Sequence, residues 1–362
     1  MEKAKPKGSL RVFAVLMAFV LSMGLAPMLA FAAQGGGSDS LVAGSTDVST
    51  AADPVDVYVT ISKAGTLVLA HEAVTVTDRD GNGTVTFDEA MQAAHDKYCK
   101  GGYASSGGWV SKLWGIETFN TGYANNDVIL SSGVSEAVKA GDDLVAIILK
   151  DETNYSDRIA YFDRKTATVM VGETLKLNLK GTTVMNMTNT VKALPSVQVG
   201  TWANGTFTAL KGKTTDSSGN VELSFNKTGT YVVSASGTIY DEASEWNTTK
   251  MDCPISAPAC IVKVTKADAK AKVVKKKTIK ASVLKKKSFK FTAIKLTTDG
   301  KKTFKVVKAD KKKCLKFKAG KVTVKKGTKK GTYTIKVKAS AKAGKNYKKF
   351  KAKTYTIKVK VK

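Results

Sequence analysis

Residues 78–89 read Asp-Arg-Asp-Gly-Asn-Gly-Thr-Val-Thr-Phe-Asp-Glu. Side-chain oxygens fall at alternate positions, on Asp78, Asp80 and Asn82, and Gly83 follows where a loop of this length must turn sharply. Glu89 closes the stretch with a carboxylate that can bind through both oxygens. Thr84 offers its backbone carbonyl, and Thr86 can act directly or through water. Carboxylates crowded in this way repel one another until a hard cation neutralises them, so the spacing is that of a Ca2+ loop. The alternative is a polar Asp/Gly/Asn turn between a strand and a helix. Agreement that extends to Glu89 favours the metal site.

A loop of this kind needs rigid elements on both sides. Val55–Ile61, Thr66–Leu69 and Ala73–Val76 alternate apolar and polar residues with period two, which predicts strands before the loop. From Phe87 to Cys99 the period becomes helical, with Met91, Ala94 and Tyr98 spaced to share a face. No second matching loop occurs, so the expectation is a half-site that orders a strand-to-helix corner, with a dissociation constant of about 10⁻⁴–10⁻³ M. Strand signals resume at Trp109–Trp114, and residues 143–149 read as a buried strand. These elements make residues 54–163 an α+β module with one main helix. Residues 164–265 carry short alternating strands and polar turns at β-sandwich spacing. Residues 266–362 repeat that plan with lysine outward: in Thr354–Lys362, Tyr355, Ile357, Val359 and Val361 point one way and the Lys/Thr set the other. The start Gly-Thr-Tyr recurs at Gly229–Tyr231 and Gly331–Tyr333, which suggests related sandwiches.

Charge divides the chain sharply. Residues 266–362 hold 37 Lys, no Arg and 3 Asp, a net of +34, whereas residues 33–265 sum to −8. Self-repulsion on that scale favours a polyanionic partner. An anionic cell-wall polymer or a host glycan is expected to bind through residues 266–362. The absence of Arg speaks against sequence-specific nucleic-acid readout, because bidentate base contacts favour guanidinium. Some of the lysine can instead serve to blunt edge strands.

The remaining chemistry is sparse. Lys3, Lys5, Lys7 and Arg11 precede the apolar run 12–30, and Ala30-Phe31-Ala32 offers a small-x-small cleavage site. We therefore expect a signal peptide over 1–32, a Gly/Ser/Thr-rich flexible linker over 33–53, and a secreted mature chain with no transmembrane span. Cys253 and Cys260 are close enough in sequence for a local bridge, which stays open at this level, while Cys99 and Cys314 lie in separate modules. No P-loop, dinucleotide fingerprint or HExxH motif occurs. His71 and His95, the two histidines, stand in unremarkable contexts, so an enzyme is not expected. Trp109, Trp114, Phe119 and Tyr123 gather around Gly-rich turns, either as a small-ligand or carbohydrate surface or as core aromatics.

Taken with their order, these modules resemble secreted modular surface proteins of Gram-positive gut bacteria. Strand 55–61, the helix after the metal loop, Lys112-Leu-Trp-Gly115, Gly122-Tyr-Ala-Asn-Asn126 and Val138–Asp143 resemble the transcobalamin C-terminal-like β-grasp family. Residues 78–89 are similar to the EF-hand and dockerin-like calcium loops. Thr215–Val221, Gly229-Thr-Tyr231, Gly331–Lys338 and Gly344–Tyr347 resemble bacterial Ig-like domains with a lysine-rich C-terminal repeat. The resemblance implies a mainly β protein, a β-grasp-like module followed by two Ig-like β-sandwiches. It implies a non-enzymatic role at the cell surface in adhesion or ligand display. A cobalamin-like small ligand on the first module is the alternative.

Overall fold

A computed structural model describes residues 51–186 and 188–362. The expected signal peptide and most of the expected linker lie outside these residues. Among the described residues, no helix is long and apolar enough to cross a membrane.

The first module is built on the hairpin β1 (Val55–Lys63) and β2 (Thr66–Val76), followed by α1 (Phe87–Tyr98). A small sheet comes next, β3 (Ala104–Ser106), β4 (Trp109–Leu113) and β5 (Ile116–Glu117). The chain then returns through β6 (Thr121–Asn125), β7 (Val128–Ile129) and β8 (Asp143–Ile148). The main sheet has the order β2-β1-β8-β6-β7, with β8 parallel to β1 and the other pairs antiparallel. A hairpin, a covering helix and a last strand laid parallel beside the first form the β-grasp arrangement. Phe87, Ala90, Met91 and Ala94 of α1 are fully buried in one core with Val57, Val59 and Ile61 of β1. That 3.6-residue stripe is why α1 settles on the sheet. The two segments 66–69 and 73–76 form one strand with an irregular register. His71 adopts φ 50° there, and its N–H is taken by Thr60 Oγ1 at 3.1 Å.

The second module comprises β9 (Arg158–Phe162), β10 (Thr166–Met170), β11 (Thr174–Thr183), β12 (Lys192–Ala193), β13 (Gln198–Ala203) and β14 (Thr206–Thr214). It continues with β15 (Asn220–Ser224), β16 (Gly229–Ser236), the hairpin β17 (Thr238–Glu242) and β18 (Lys250–Pro254), and β19 (Cys260–Thr265). One sheet runs β10-β19-β16-β13-β14, and the other joins β12, β11 and β15, with β9 beside β11. β9, which precedes the boundary expected at 163, pairs antiparallel with β11.

The third module comprises β20 (Lys270–Val273), β21 (Lys276–Ile279), the short helix α2 (Ala281–Lys286), β22 (Phe289–Thr292) and β23 (Ile294–Thr297). It ends with β24 (Lys302–Lys308), β25 (Leu315–Lys318), β26 (Lys321–Val324), β27 (Gly331–Ala341) and β28 (Phe350–Val361). Its sheet β21-β28-β27-β24 repeats the second module's β10-β19-β16-β13: first strand parallel to last, last antiparallel to the Gly-Thr-Tyr strand. The relation extends to one side chain. Tyr231 Oη donates to Lys227 O at 3.1 Å and Tyr333 Oη to Lys329 O at 2.8 Å, each four residues upstream. This tyrosine corner, with the two-sheet topology, identifies both modules as Ig-like sandwiches. Gly229 and Gly331 adopt φ near +150° where the Tyr rings lie within 4 Å, so each glycine frees the turn that the corner closes.

Candidate metal centre and the charged surface

The path from Val76 to Phe87 is short, and most of its N–H groups are taken by the loop's own side chains. Asp78 Oδ1 accepts the N–H groups of Gly81 (2.8 Å) and Asn82 (3.1 Å), and its Oδ2 those of Gly83 (2.7 Å) and Ala52 (2.9 Å). These donors, Ala52 first, hold the Asp78 carboxyl below the usual carboxylate range. Asp80 Oδ1 accepts Asn82 N–H at 3.1 Å, and Asn82 Oδ1 accepts Thr84 N–H at 2.8 Å. Gly83 adopts φ +85°, the left-handed conformation required at the sharp turn. The N–H pattern aims the carboxylates inward: one oxygen each of Asp78, Asp80 and Glu89 lie within 4.8 Å of one another.

Glu89 is buried and serves two ends. Its Oε2 accepts the N–H (2.9 Å) and hydroxyl (3.0 Å) of Thr86, the N-cap, while Thr86 Oγ1 accepts Glu89 N–H at 3.3 Å. This reciprocal capping box starts α1. Its Oε1 accepts Arg79 N–H at 2.5 Å and keeps one lone pair for a cation. The Arg79 guanidinium turns away to Asp96 at 2.7 Å, leaving the carboxylate group to other partners. Three clustered carboxylates, of Asp78, Asp80 and Glu89, form a hard, all-oxygen donor set that can hold a metal ion. Of the six expected site residues, Asp78, Asp80 and Glu89 converge. Asn82 bonds Asp80 Oδ2 and Thr84, Thr84 sits on the loop backbone, and Thr86 is committed to the cap.

Val85 is buried, as an inward-pointing eighth position requires. The backbone that a second loop would otherwise satisfy bonds instead to residues 136–138. Val138 N–H meets Val85 O, and Phe87 N–H meets Glu136 O, both at 2.9 Å, around a Thr86–Ala137 bridge. No strand signal in the sequence marked this segment, although Val138 opens the stretch 138–143 quoted for the β-grasp resemblance.

Both histidines are structurally employed. His95 is buried, with Nδ1 2.6 Å from Met91 O and Nε2 accepting Trp114 N–H at 3.1 Å. Burial pushes its pKa below the ordinary histidine value, which keeps the ring neutral. His71 stacks on Tyr58 at 4.5 Å and meets Asp143 at 2.8 Å, a pairing hidden from sequence inspection because 72 residues separate the partners. The expected aromatic cluster divides. Trp109 (66% exposed) and Phe119 (75%) face solvent, while Trp114 packs on His95 and Tyr123 on Phe87. An open depression of about 320 Å3 beside α1 is lined by polar groups including Arg79, Asp96 and Tyr103, and none of the four aromatics lines it. All four cysteines are free thiols, so Cys253 and Cys260 form no bridge; burial raises the Cys260 pKa to about 12.

The third module exposes nearly all its lysines. Its three acidic residues are otherwise engaged: Asp268 pairs with Lys348 at 3.1 Å, Asp299 accepts Asn346 N–H at 2.8 Å, and Asp310 is buried, accepting Leu315 N–H at 2.7 Å.

No family model matches the chain, and no curated protein is detectably similar to it. Among solved structures it is similar to Drosophila N-cadherin EC1-4, at 12% identity over 68% of each chain, with a TM-score of 0.22. Fibronectin(III)-like modules of Clostridium thermocellum CbhA align at 15% identity over 56% of this chain and 94% of theirs, TM-score 0.17. The Yersinia pseudotuberculosis adhesin InvE aligns at 13% over 57% and 59%, TM-score 0.18. Scores this low leave the fold assignment to strand pairing and the two tyrosine corners: a β-grasp-like module followed by two Ig-like sandwiches.

Proposed function

We propose that the chain is a secreted, non-enzymatic surface protein in which calcium at Asp78–Glu89 orders a display module and the lysine-rich sandwich provides attachment. Calcium suits a donor set made only of oxygens, on a loop whose N–H groups already aim the carboxylates inward. Display suits the first module, where Trp109 and Phe119 stand exposed at the small sheet β3–β5 and its surroundings. The resemblance to Gram-positive surface proteins supports the same localisation.

The observation that carries the attachment reading is the third module's charge: 37 lysines against three aspartates, of which only Asp268 pairs with a lysine, Lys348. Exposed lysines without counter-ions attract polyanions through counter-ion release, with strong salt dependence. The test is retention of the intact protein on isolated Gram-positive walls, before and after chemical removal of their anionic polymers. Retention at low salt, elution as salt rises, and loss on stripped walls are expected. Equal retention on stripped walls would refute electrostatic attachment.

A further inference from the structure

The pairing register of the third module places its lysines in a pattern that composition alone does not contain. On the sheet β21-β28-β27-β24, the residues Tyr333, Ile335, Val337, Ile357, Val359 and Val361 are turned inward, which fixes the alternate set outward. Between β27 and β28 every outward opposed pair along this stretch joins lysine to threonine: Thr332–Lys360, Thr334–Lys358, Lys336–Thr356 and Lys338–Thr354. Like charges are thus kept from direct opposition at the centre of the face. At its two margins they are not. Lys305 and Lys308 of β24 lie opposite Lys338 and Lys336, and Lys276 of β21 lies opposite Lys358.

Followed across the sheet, the lysines form one diagonal band: Lys305 and Lys308, then Lys338 and Lys336, then Lys358 and Lys360, then Lys276. Threonines flank it, Thr354 and Thr356 on one side and Thr332 and Thr334 on the other. Neighbouring ammonium stems are spaced about 7 Å along a strand and about 7–8 Å on the diagonal between strands. None of the module's three acidic residues pairs with a lysine of the band: Asp268 pairs with Lys348, and Asp299 and Asp310 accept backbone N–H groups.

We propose that this face binds a linear polyol-phosphate chain, a phosphodiester polymer without bases, laid along the lysine band. The proposal rests on the attachment reading above and names its face and its polymer class. Lysine acts as a point charge for phosphate, and flanking threonine hydroxyls can donate to phosphate oxygens without fixing a register. Phosphodiesters joined by short polyol linkers repeat at a spacing of the same order as the band. Single-stranded nucleic acid fits less well, because base binding uses exposed aromatic platforms. The module's exposed large apolar residues are Val306 and Val307. A carboxylate-bearing glycan would favour the planar fork of Arg, and the module has none.

The experiment uses the full-length protein and deacylated poly(glycerol phosphate), with affinity measured over a salt series. One variant carries Lys336→Gln, Lys338→Gln, Lys358→Gln and Lys360→Gln. A second removes the same charge from the opposite sheet through Lys290→Gln, Lys316→Gln, Lys318→Gln and Lys321→Gln; all eight side chains are exposed. At about 0.7 per contacted phosphate, the first variant should lose about 3 units of the slope of log K against log salt. The second should stay close to wild type. Equal losses in the two variants would overturn the face assignment while leaving diffuse attachment intact. Tighter binding to heparin or single-stranded DNA at matched charge would overturn the polymer class. Failure of the wild type to bind any of these polyanions at low salt would remove the attachment reading itself.

Discussion

On the proposed reading the Glu89 carboxylate serves both a metal and the cap, and Glu89→Gln beside Thr86→Ala separates the two roles. Without calcium, the amide keeps one acceptor oxygen and sets an NH2 group against N–H donors of Arg79 or Thr86. Losing a charge-assisted bond and part of a capping box costs about 2 kcal/mol. With calcium at about 100 times its dissociation constant, wild type gains about 2.7 kcal/mol. For a domain of this size that raises the melting temperature by roughly 10 °C. The variant, lacking the closing carboxylate, should gain almost none of it. Thr86→Ala is the control: it removes the N-cap hydroxyl, costs about 1 kcal/mol with or without calcium, and leaves the calcium increment in place. Scanning calorimetry of the full chain with and without calcium reads all three. An equal calcium increment in wild type and Glu89→Gln would refute the metal assignment, as would no increment in wild type. The residues would then form a capped turn and nothing more.

Three further outcomes are expected. Tyr231→Phe and Tyr333→Phe should each lower sandwich stability by about 1 kcal/mol in denaturant titrations, and unchanged midpoints would show that the tyrosine corners contribute nothing. Because burial lowers the His95 pKa, the unfolded chain takes up a proton near pH 6.5 that the folded chain refuses. Stability from this group is therefore complete above pH 6.5 and falls as pH drops from there toward the folded pKa. The slope between pH 7 and 5 should flatten in His95→Gln, and a persisting slope would assign it to other groups. Thiol labelling of the native protein should modify the half-buried Cys99 and Cys314 and spare the buried Cys253 and Cys260. Identical masses for non-reduced and reduced protein would agree with four free thiols, and a difference of two hydrogens would contradict them.

Much of the architecture was legible because the period of the apolar residues matches the elements they form. The span 87–99 has a 3.6-residue stripe and becomes α1, and Tyr355, Ile357, Val359 and Val361 alternate into β28. The carboxylate cluster was legible because Asp78, Asp80 and Glu89 are close in sequence, and their spacing is itself the geometry. What escaped was non-local. Segment 136–138 completes the loop by pairing with Val85–Phe87, yet its own residues carry no strand pattern. β9 has every residue buried and gives no alternation that would assign it to the second module. The His71–Asp143 contact depends on a parallel pairing of β1 with β8 across the helix. The lysine band depends on register: shifting β27 against β28 by two residues would bring lysine opposite lysine, and composition would not change.

One experiment bears on the whole assignment: binding of the intact, calcium-loaded protein to poly(glycerol phosphate) at stepped salt concentrations. The present reading requires saturable binding whose log K falls linearly as log salt rises. Binding that ignores salt, or none at low salt, would contradict it.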